Sequence, residues 1–195
     1  MDIFGNLNYK MAIFISAGHN SQSQSIKADP GAINKFGVKE GDLTIEFRDL
    51  VCKELSLLGV QYKTDLKEET LQMYLDRIQT GEGSVVIEYH FDAGPESAEG
   101  CTGLVEDDAT QNDKNFALEL VNAAVSTLGI KSRGIKPESY TRHGKLALMK
   151  ETGIICLFEI CFLTNVSDMA KYQANKLKLA KEHAKIIAKY ENLIS

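Results

Sequence analysis

The sequence predicts an α/β fold: a single three-layer domain with a mostly parallel, twisted sheet and helices on both faces. Short apolar runs alternate with longer segments whose apolar residues recur at helical spacing, an order typical of parallel strands joined by helices. The run at 153–160 is almost wholly apolar, as expected of a central strand covered on both faces. The length of 195 residues suits one domain with its own core.

The first elements have clear boundaries. Residues 1–10 are interpreted as an N-terminal extension, and the domain, residues 11–195, opens with a predicted strand at 11–17. A polar loop with glycine and proline follows, and apolar residues at helical spacing before Gly59 then predict a helix at 41–58. The remaining predictions are a strand at 60–62, a helix at 67–79, a strand at 84–91, a loop at 92–103, a helix at 112–128, a short strand or turn at 144–149, a strand at 153–160 and a closing helix or helix pair at 166–193.

Composition limits the possible partners. The net charge of -5 argues against a nucleic-acid binder, which would show a basic stripe. No apolar stretch reaches the roughly 20 residues of a membrane span, and the N-terminus lacks the features of a secretory signal peptide. The cysteines form no CxxC pair, so no disulfide is expected, and Cys52 and Cys156 are predicted to be buried thiols and Cys101 a loop thiol.

Four residues with metal or acid–base chemistry fall at one predicted edge of the sheet. His19, His90 and Glu159 lie at or near the ends of separate strands, and Glu40 directly precedes the first helix. Each also has an ordinary explanation, because strand-end histidines often bond within loops and an acid suits a helix N-terminus. Glu159 is the least ordinary, since an acid inside an apolar strand is costly unless it is paired or functional.

The four residue types suit a hydrolytic zinc site. Catalytic zinc takes about three nitrogen or oxygen ligands and keeps a position open for water. Two imidazoles and one carboxylate meet that need, and a second carboxylate can take a proton from water and pass it to a leaving nitrogen.

Several segments occur in an order that resembles a known family. They are Gly18-His19 with 29–32 (DPGA), 39–44 (KEGDLT), 88–93 (EYHFDA), 132–136 (SRGIK) and 158–165 (FEICFLTN). Over nearly the whole chain, from Met11 to Ser195, the sequence is similar to the zinc-dependent N-acetylmuramoyl-L-alanine amidases of the Amidase_3 family.

The resemblance implies a zinc amidase that cleaves the bond between N-acetylmuramic acid and L-alanine in peptidoglycan. It implies Zn²⁺ bound by His19, Glu40 and His90, with Glu159 as general base and then general acid. Arg133, in the matched segment 132–136, either holds a substrate carboxylate or supports a loop, and Asp92 is a further candidate for substrate binding. Peptidoglycan or a muropeptide is the expected partner of a monomeric protein that is made in the cytoplasm and acts on the cell wall, as a phage lysin or a bacterial autolysin.

The chain departs from the family pattern near the site. Glu88 and Asp92 stand where the family usually has serine and asparagine, and the polar run 21–28 separates the two halves of the first motif. Cys161 replaces a glycine after Glu159. These departures leave two alternatives open: a muropeptide-binding protein with weak or no catalysis, and a zinc amidase or peptidase that acts on a different amide.

Rival site residues are weaker candidates. Glu46 lies six residues after Glu40, but the KEGDLT context favours Glu40 as the ligand. His143 lies in a polar turn and His183 in a predicted helix, and both are expected at the protein surface.

Overall fold

The computed structural model of the protein describes residues 12–20, 22 and 27–193. The predicted extension at 1–10 and most of the polar run 21–28 lie outside the described residues. The strands are β1 (Ala12–Ala17), β2 (Tyr62–Thr64), β3 (Ser84–Asp92), β4 (Cys101–Val105), β5 (Ser132–Pro137) and β6 (Ile154–Phe162), and the helices are α1 (Glu40–Leu57), α2 (Leu71–Arg77), α3 (Gln111–Leu128) and α4 (Val166–Leu193). Short 3-10 helices span Glu138–Tyr140 and Ala147–Lys150.

The six strands form one sheet in the order β2-β1-β3-β6-β4-β5. All neighbouring pairs are parallel except β4 and β6, which are antiparallel. One face packs on α1, α3 and α4 through a large apolar cluster, and the other packs on α2 and the 3-10 turn at Ala147–Lys150 through a smaller one. The prediction of a three-layer α/β domain with a mostly parallel sheet is therefore confirmed.

Local sequence explains where the long helices begin and end. A capping box between Thr110 and Asp113 starts α3, and Gly129, in the left-handed conformation, follows its last residue. The α4 segment contains no glycine or proline, so it runs as one helix rather than a pair. Its apolar stripe packs against the sheet and includes Tyr172, Leu179, Ala184, Ile187 and Tyr190.

The structure corrects several predictions. Residues 101–105 form β4 instead of loop, and 132–137 form β5, for which no strand was predicted. The strand or turn at 144–149 is a 3-10 helix at Ala147–Lys150. The prediction of Cys101 as a loop thiol is wrong, because it begins β4 and is buried. The prediction of His183 as a surface residue is also wrong, because α4 turns it into the core.

Among the described residues, no helix is both long and apolar enough to cross a membrane.

Candidate metal centre

The face of the sheet that α2 covers changes from apolar to polar toward the carboxyl ends of the strands. Strand register places side chains of β1, β3 and β6 in level rows on this face. The first row is apolar and consists of Phe14, Val86 and Ile155. The second row contains two polar residues, Ser16 and Glu88, beside Leu157. The third row consists of His90 and Glu159, which have acid–base side chains. The site is therefore a continuation of the core packing rather than a separate surface feature.

His19, Glu40 and His90 converge at this edge. His19 follows β1, Glu40 is the first residue of α1, and His90 lies near the end of β3. One ligand atom from each lies within 4.8 Å of the other two. Glu40 Oε1 lies 3.0 Å from His90 Nδ1 and 3.3 Å from His19 Nε2. The three side chains thus direct two imidazole nitrogens and a carboxylate oxygen at one point.

Two glycines make room for this cluster. A Cβ atom on Gly18 would lie 2.0 Å from His90 Nε2, so no larger residue fits beneath that ring. A Cβ atom on Gly31 would lie 2.6 Å from Glu40 Oε2, and Gly31 has a φ of 62°, which disfavours other residues. The backbone therefore cradles the cluster closely, and its two nitrogens and one oxygen are the donor set that suits catalytic zinc.

Each of the three residues is fixed by a further hydrogen bond or contact. His19 Nδ1 lies 3.0 Å from Asp29 Oδ2, and His90 Nε2 lies 2.9 Å from Glu88 Oε1. The Ala32 N–H donates to Glu40 Oε2 at 2.9 Å. Both histidines therefore have a carboxylate on the ring nitrogen that faces away from the cluster, an arrangement common around metal-binding histidines. The contact of Asp29 with His19 was not predicted from the sequence.

Glu40 and the two histidines strongly shift one another's pKa values. Burial acts to raise the pKa of Glu40, but hydrogen bonds from His19 and His90 outweigh it and hold that pKa well below the usual range. Burial acts to lower the pKa of His90, yet its bonds to Glu40 and Glu88 raise it well above the usual value. The carboxylate form of Glu40 is therefore favoured by protons on the two imidazoles, which a divalent cation could replace.

Glu159 lies directly beside this cluster. It pairs with His90 in the register of β3 and β6. Its Oε2 atom is buried and has no hydrogen-bond partner among the described residues. Burial raises the pKa of Glu159 to about 8, against the lowering effect of His90. A buried acceptor without a partner is rare and commonly marks a catalytic group or a bound water or ion.

The other predicted site residues lie in different places. Asp92 ends β3, and burial raises its pKa against the lowering effects of a hydrogen bond from the Ala93 N–H and of the Arg133 charge. Arg133 stacks over the Phe162 ring, with 5.0 Å between Cζ and the ring centroid.

The rival Glu46 instead forms an ion pair with Lys176, and His143 contacts Arg142 on an exposed turn, so neither belongs to the cluster.

A cleft of about 210 Å³ opens beside His19. The start of α2 forms one wall, and an ion pair between Arg48 and Asp65 braces the cleft behind the end of β1. Asp65 also accepts a hydrogen bond from the Ala17 N–H at 3.1 Å. This wall was not predicted from the sequence, because α2 and β1 are separated by more than 50 residues. The lining residues are Ser16, Ala17, Gly18, His19, Asn20, Lys27, Asp29, Asp65, Glu69, Thr70, Leu71, Gln72 and Tyr74.

Comparison with known proteins gives a consistent result. The family model for N-acetylmuramoyl-L-alanine amidase, Amidase_3, matches residues 13–189. AmiC2, an N-acetylmuramoyl-L-alanine amidase of Nostoc punctiforme, has a TM-score of 0.74 and 20% identity, over 93% of this chain and 97% of that one. A Neisseria meningitidis protein, provisionally designated an N-acetylmuramoyl-L-alanine amidase, has a TM-score of 0.73 and 29% identity, over 92% and 95%. The catalytic domain of the CD27L endolysin, which targets Clostridia Difficile, has a TM-score of 0.70 and 18% identity, over 92% and 97%. No curated protein sequence matches the chain.

Proposed function

Since the chain belongs to the Amidase_3 family of N-acetylmuramoyl-L-alanine amidases, we propose that it is a zinc-dependent hydrolase of peptidoglycan. Its substrate is the amide that joins the lactyl group of N-acetylmuramic acid to L-alanine. The observation that carries this proposal is the convergence of His19, Glu40 and His90 beside a buried carboxylate, Glu159.

His19, Glu40 and His90 would hold the zinc ion. Their donor atoms and the close glycine backbone fit a small cation with an open coordination position. When bound, zinc would act as a Lewis acid that polarises the scissile carbonyl and makes water more acidic.

Glu159 is the proposed general base and general acid. In its ionised form, which the positive charge of a bound zinc ion would favour, the carboxylate of Glu159 takes a proton from the attacking water. The same proton then passes to the amide nitrogen as the C–N bond breaks. Two observations support this role: Glu159 is the register neighbour of His90, and its Oε2 atom has no partner among the described residues. The products are a free lactyl carboxylate and a stem peptide with an L-alanine amino terminus.

Arg133 and Asp92 are the proposed substrate contacts. Their charges interact at the edge of the sheet where β3 ends and β5 begins. The guanidinium, held over Phe162, can bind a carboxylate of the stem peptide through paired hydrogen bonds.

Mass spectrometry of digested peptidoglycan tests the reaction. The zinc-loaded protein is expected to release intact stem peptides that begin with L-alanine, and to leave the glycan strand free of peptide. Fragments that keep L-alanine on the muramic acid would identify an amidase or peptidase for another bond. Protein that binds muropeptides but releases no peptide would contradict the proposal and favour a binding protein.

A further inference from the structure

Glu88 is a buried acid that the proposed reaction does not use. It lies in the middle of β3, two residues before His90, so both side chains point to the same face of the sheet. Its side chain is 2% exposed. Glu88 Oε1 lies 2.9 Å from His90 Nε2, and Ser16 Oγ donates to Glu88 Oε2 at 3.4 Å.

The charge of Glu88 has a narrow set of partners. Within the described part of the chain, His90 is the only cationic side chain that forms an ion pair with it. A buried carboxylate is unfavourable unless a hydrogen bond or a charge compensates it. The buried charge of Glu88 is therefore compensated by His90 and by positive charge at the centre that His90 faces.

The contact determines which nitrogen of His90 is free to bind a metal. A carboxylate only accepts hydrogen bonds, so it keeps the proton on Nε2. Glu40 Oε1 accepts in the same way from Nδ1 at 3.0 Å, so a bound metal ion would take the place of the Nδ1 proton and use the lone pair on that atom. The absence of a Cβ atom at Gly18 allows the Nε2 edge of the ring to sit this close to β1.

The two histidines differ in how firmly the carboxylate on the outward-facing ring nitrogen is held. Asp29, the partner of His19, has a side chain that is 65% exposed, so water can replace it. Glu88 is enclosed between β1 and β6, where a replacement water has little access. The orientation of His90 therefore depends on Glu88 more strongly than that of His19 depends on Asp29.

We propose that Glu88 is a positioning residue that holds His90 in the Nε2-protonated form and thereby increases the affinity of the centre for zinc. This inference rests on the proposed metal-dependent function. It assigns to Glu88 no contact with substrate and no proton transfer during the reaction.

Zinc affinity measured by competition with a chromophoric chelator tests this role. Removing an outer partner of a metal-binding histidine weakens metal binding by roughly 10–100-fold. Glu88→Leu removes the acceptor and is expected near the upper end of that range. Glu88→Gln keeps an acceptor oxygen without the charge, so it should recover part of the loss, to about 10-fold.

Glu138→Gln is the matched control. Glu138 is buried as fully as Glu88, but it bonds to Lys145 and to the Leu146 N–H instead of to the cluster. Its substitution is expected to lower thermal stability without changing zinc affinity. Circular dichroism shows whether each variant folds. If Glu88→Leu does not fold, the nearly isosteric Glu88→Gln still tests the inference.

Nitrogen NMR gives a readout that a purely structural role would not change. The chain has four histidines, so a ¹⁵N-histidine spectrum is simple to assign. The zinc-bound protein should show His90 protonated at Nε2, and Glu88→Leu should lose the slowly exchanging Nε2 proton. A wild-type His90 protonated at Nδ1, or zinc affinities within twofold of wild type in both Glu88 variants, would overturn the inference.

The outcome separates this inference from the proposed function. If wild-type protein binds zinc and Glu40→Gln abolishes binding while both Glu88 variants bind normally, only the role of Glu88 is wrong. If wild-type protein fails to bind zinc, both the metal-dependent function and the role of Glu88 are wrong.

Discussion

His183 should make the stability of this protein depend on pH in a predictable way. It is fully buried on α4, where its Nδ1 atom lies 3.1 Å from the Tyr89 hydroxyl and the rings of Phe47 and Phe158 meet it edge-on. Burial lowers the pKa of His183 to about 3. The unfolded chain binds a proton there below about pH 6.5, whereas the folded protein remains neutral at this position until about pH 3.

The sign and size of the effect follow from this difference. Between about pH 6.5 and pH 3 the unfolded state binds more protons at His183, so folding becomes less favourable as pH falls through this window. The loss is about 1.4 kcal/mol per pH unit, or about 3 kcal/mol at pH 4.5 relative to pH 7. His183 is neutral in both states above pH 7, so it contributes no slope there.

Urea unfolding followed by circular dichroism measures this contribution. The wild-type protein and His183→Gln would be compared at pH 7.5, 6.5, 5.5 and 4.5. At pH 7.5 the variant is expected to be less stable by about 1–3 kcal/mol, because it disturbs the bond to Tyr89. Acidification should narrow that gap by about 1.4 kcal/mol per unit below pH 6.5. Other titrating groups are common to both proteins and cancel, so a gap that stays constant down to pH 4.5 would refute the reasoning.

Two further predictions concern the site. Glu159→Gln removes the proton acceptor and should lower turnover on peptidoglycan by about 10²–10⁴-fold, while equilibrium dialysis should still find one zinc per chain, as in wild type. Turnover near that of wild type would exclude Glu159 from the mechanism. Gly18→Ala should displace the His90 ring, since its Cβ would lie 2.0 Å from Nε2, and should weaken zinc binding while leaving the fold intact. Gly81→Ala is the control, because a Cβ atom there meets nothing within 4 Å. Equal zinc affinities in the two variants would contradict the proposal that the glycine backbone shapes the metal site.

The parallel half of the sheet could be predicted because its signals are local. β1, β3 and β6 are apolar runs bounded by polar residues, and α1 and α3 have regular spacing and clear ends. The expectation that strand ends meet at one edge agrees with the position of His90 beside Glu159. The metal-binding and catalytic roles of these residues remain predictions.

The edge of the sheet formed by β4 and β5, which runs antiparallel to β6, could not be predicted because its signals depend on tertiary contacts. β4 contains Gly103, which suggests a turn in the sequence but serves a different purpose in the structure. A Cβ atom at Gly103 would lie 3.0 Å from the Cβ of Ala117, so this glycine lets α3 pack closely on the strand. β5 is a partly exposed edge strand with two basic residues and no apolar alternation. The contact between Glu88 and His90 also escaped prediction, because spacing alone does not show that a side chain is enclosed.

Strand register couples the stability of the fold to the assembly of the site. Tyr89 points to the α4 face, where it bonds to His183, while its neighbours Glu88 and His90 point to the opposite face. A shift of β3 by one residue would exchange these faces, burying His90 against the aromatic rings and directing Tyr89 at Glu40. The buried pair of Tyr89 and His183 opposes that shift, because the moved strand would take the Tyr89 hydroxyl away and leave the His183 Nδ1 atom unpaired in the core. The acid sensitivity that His183 confers is thus the energetic cost of a contact that helps to fix the metal-facing side of β3.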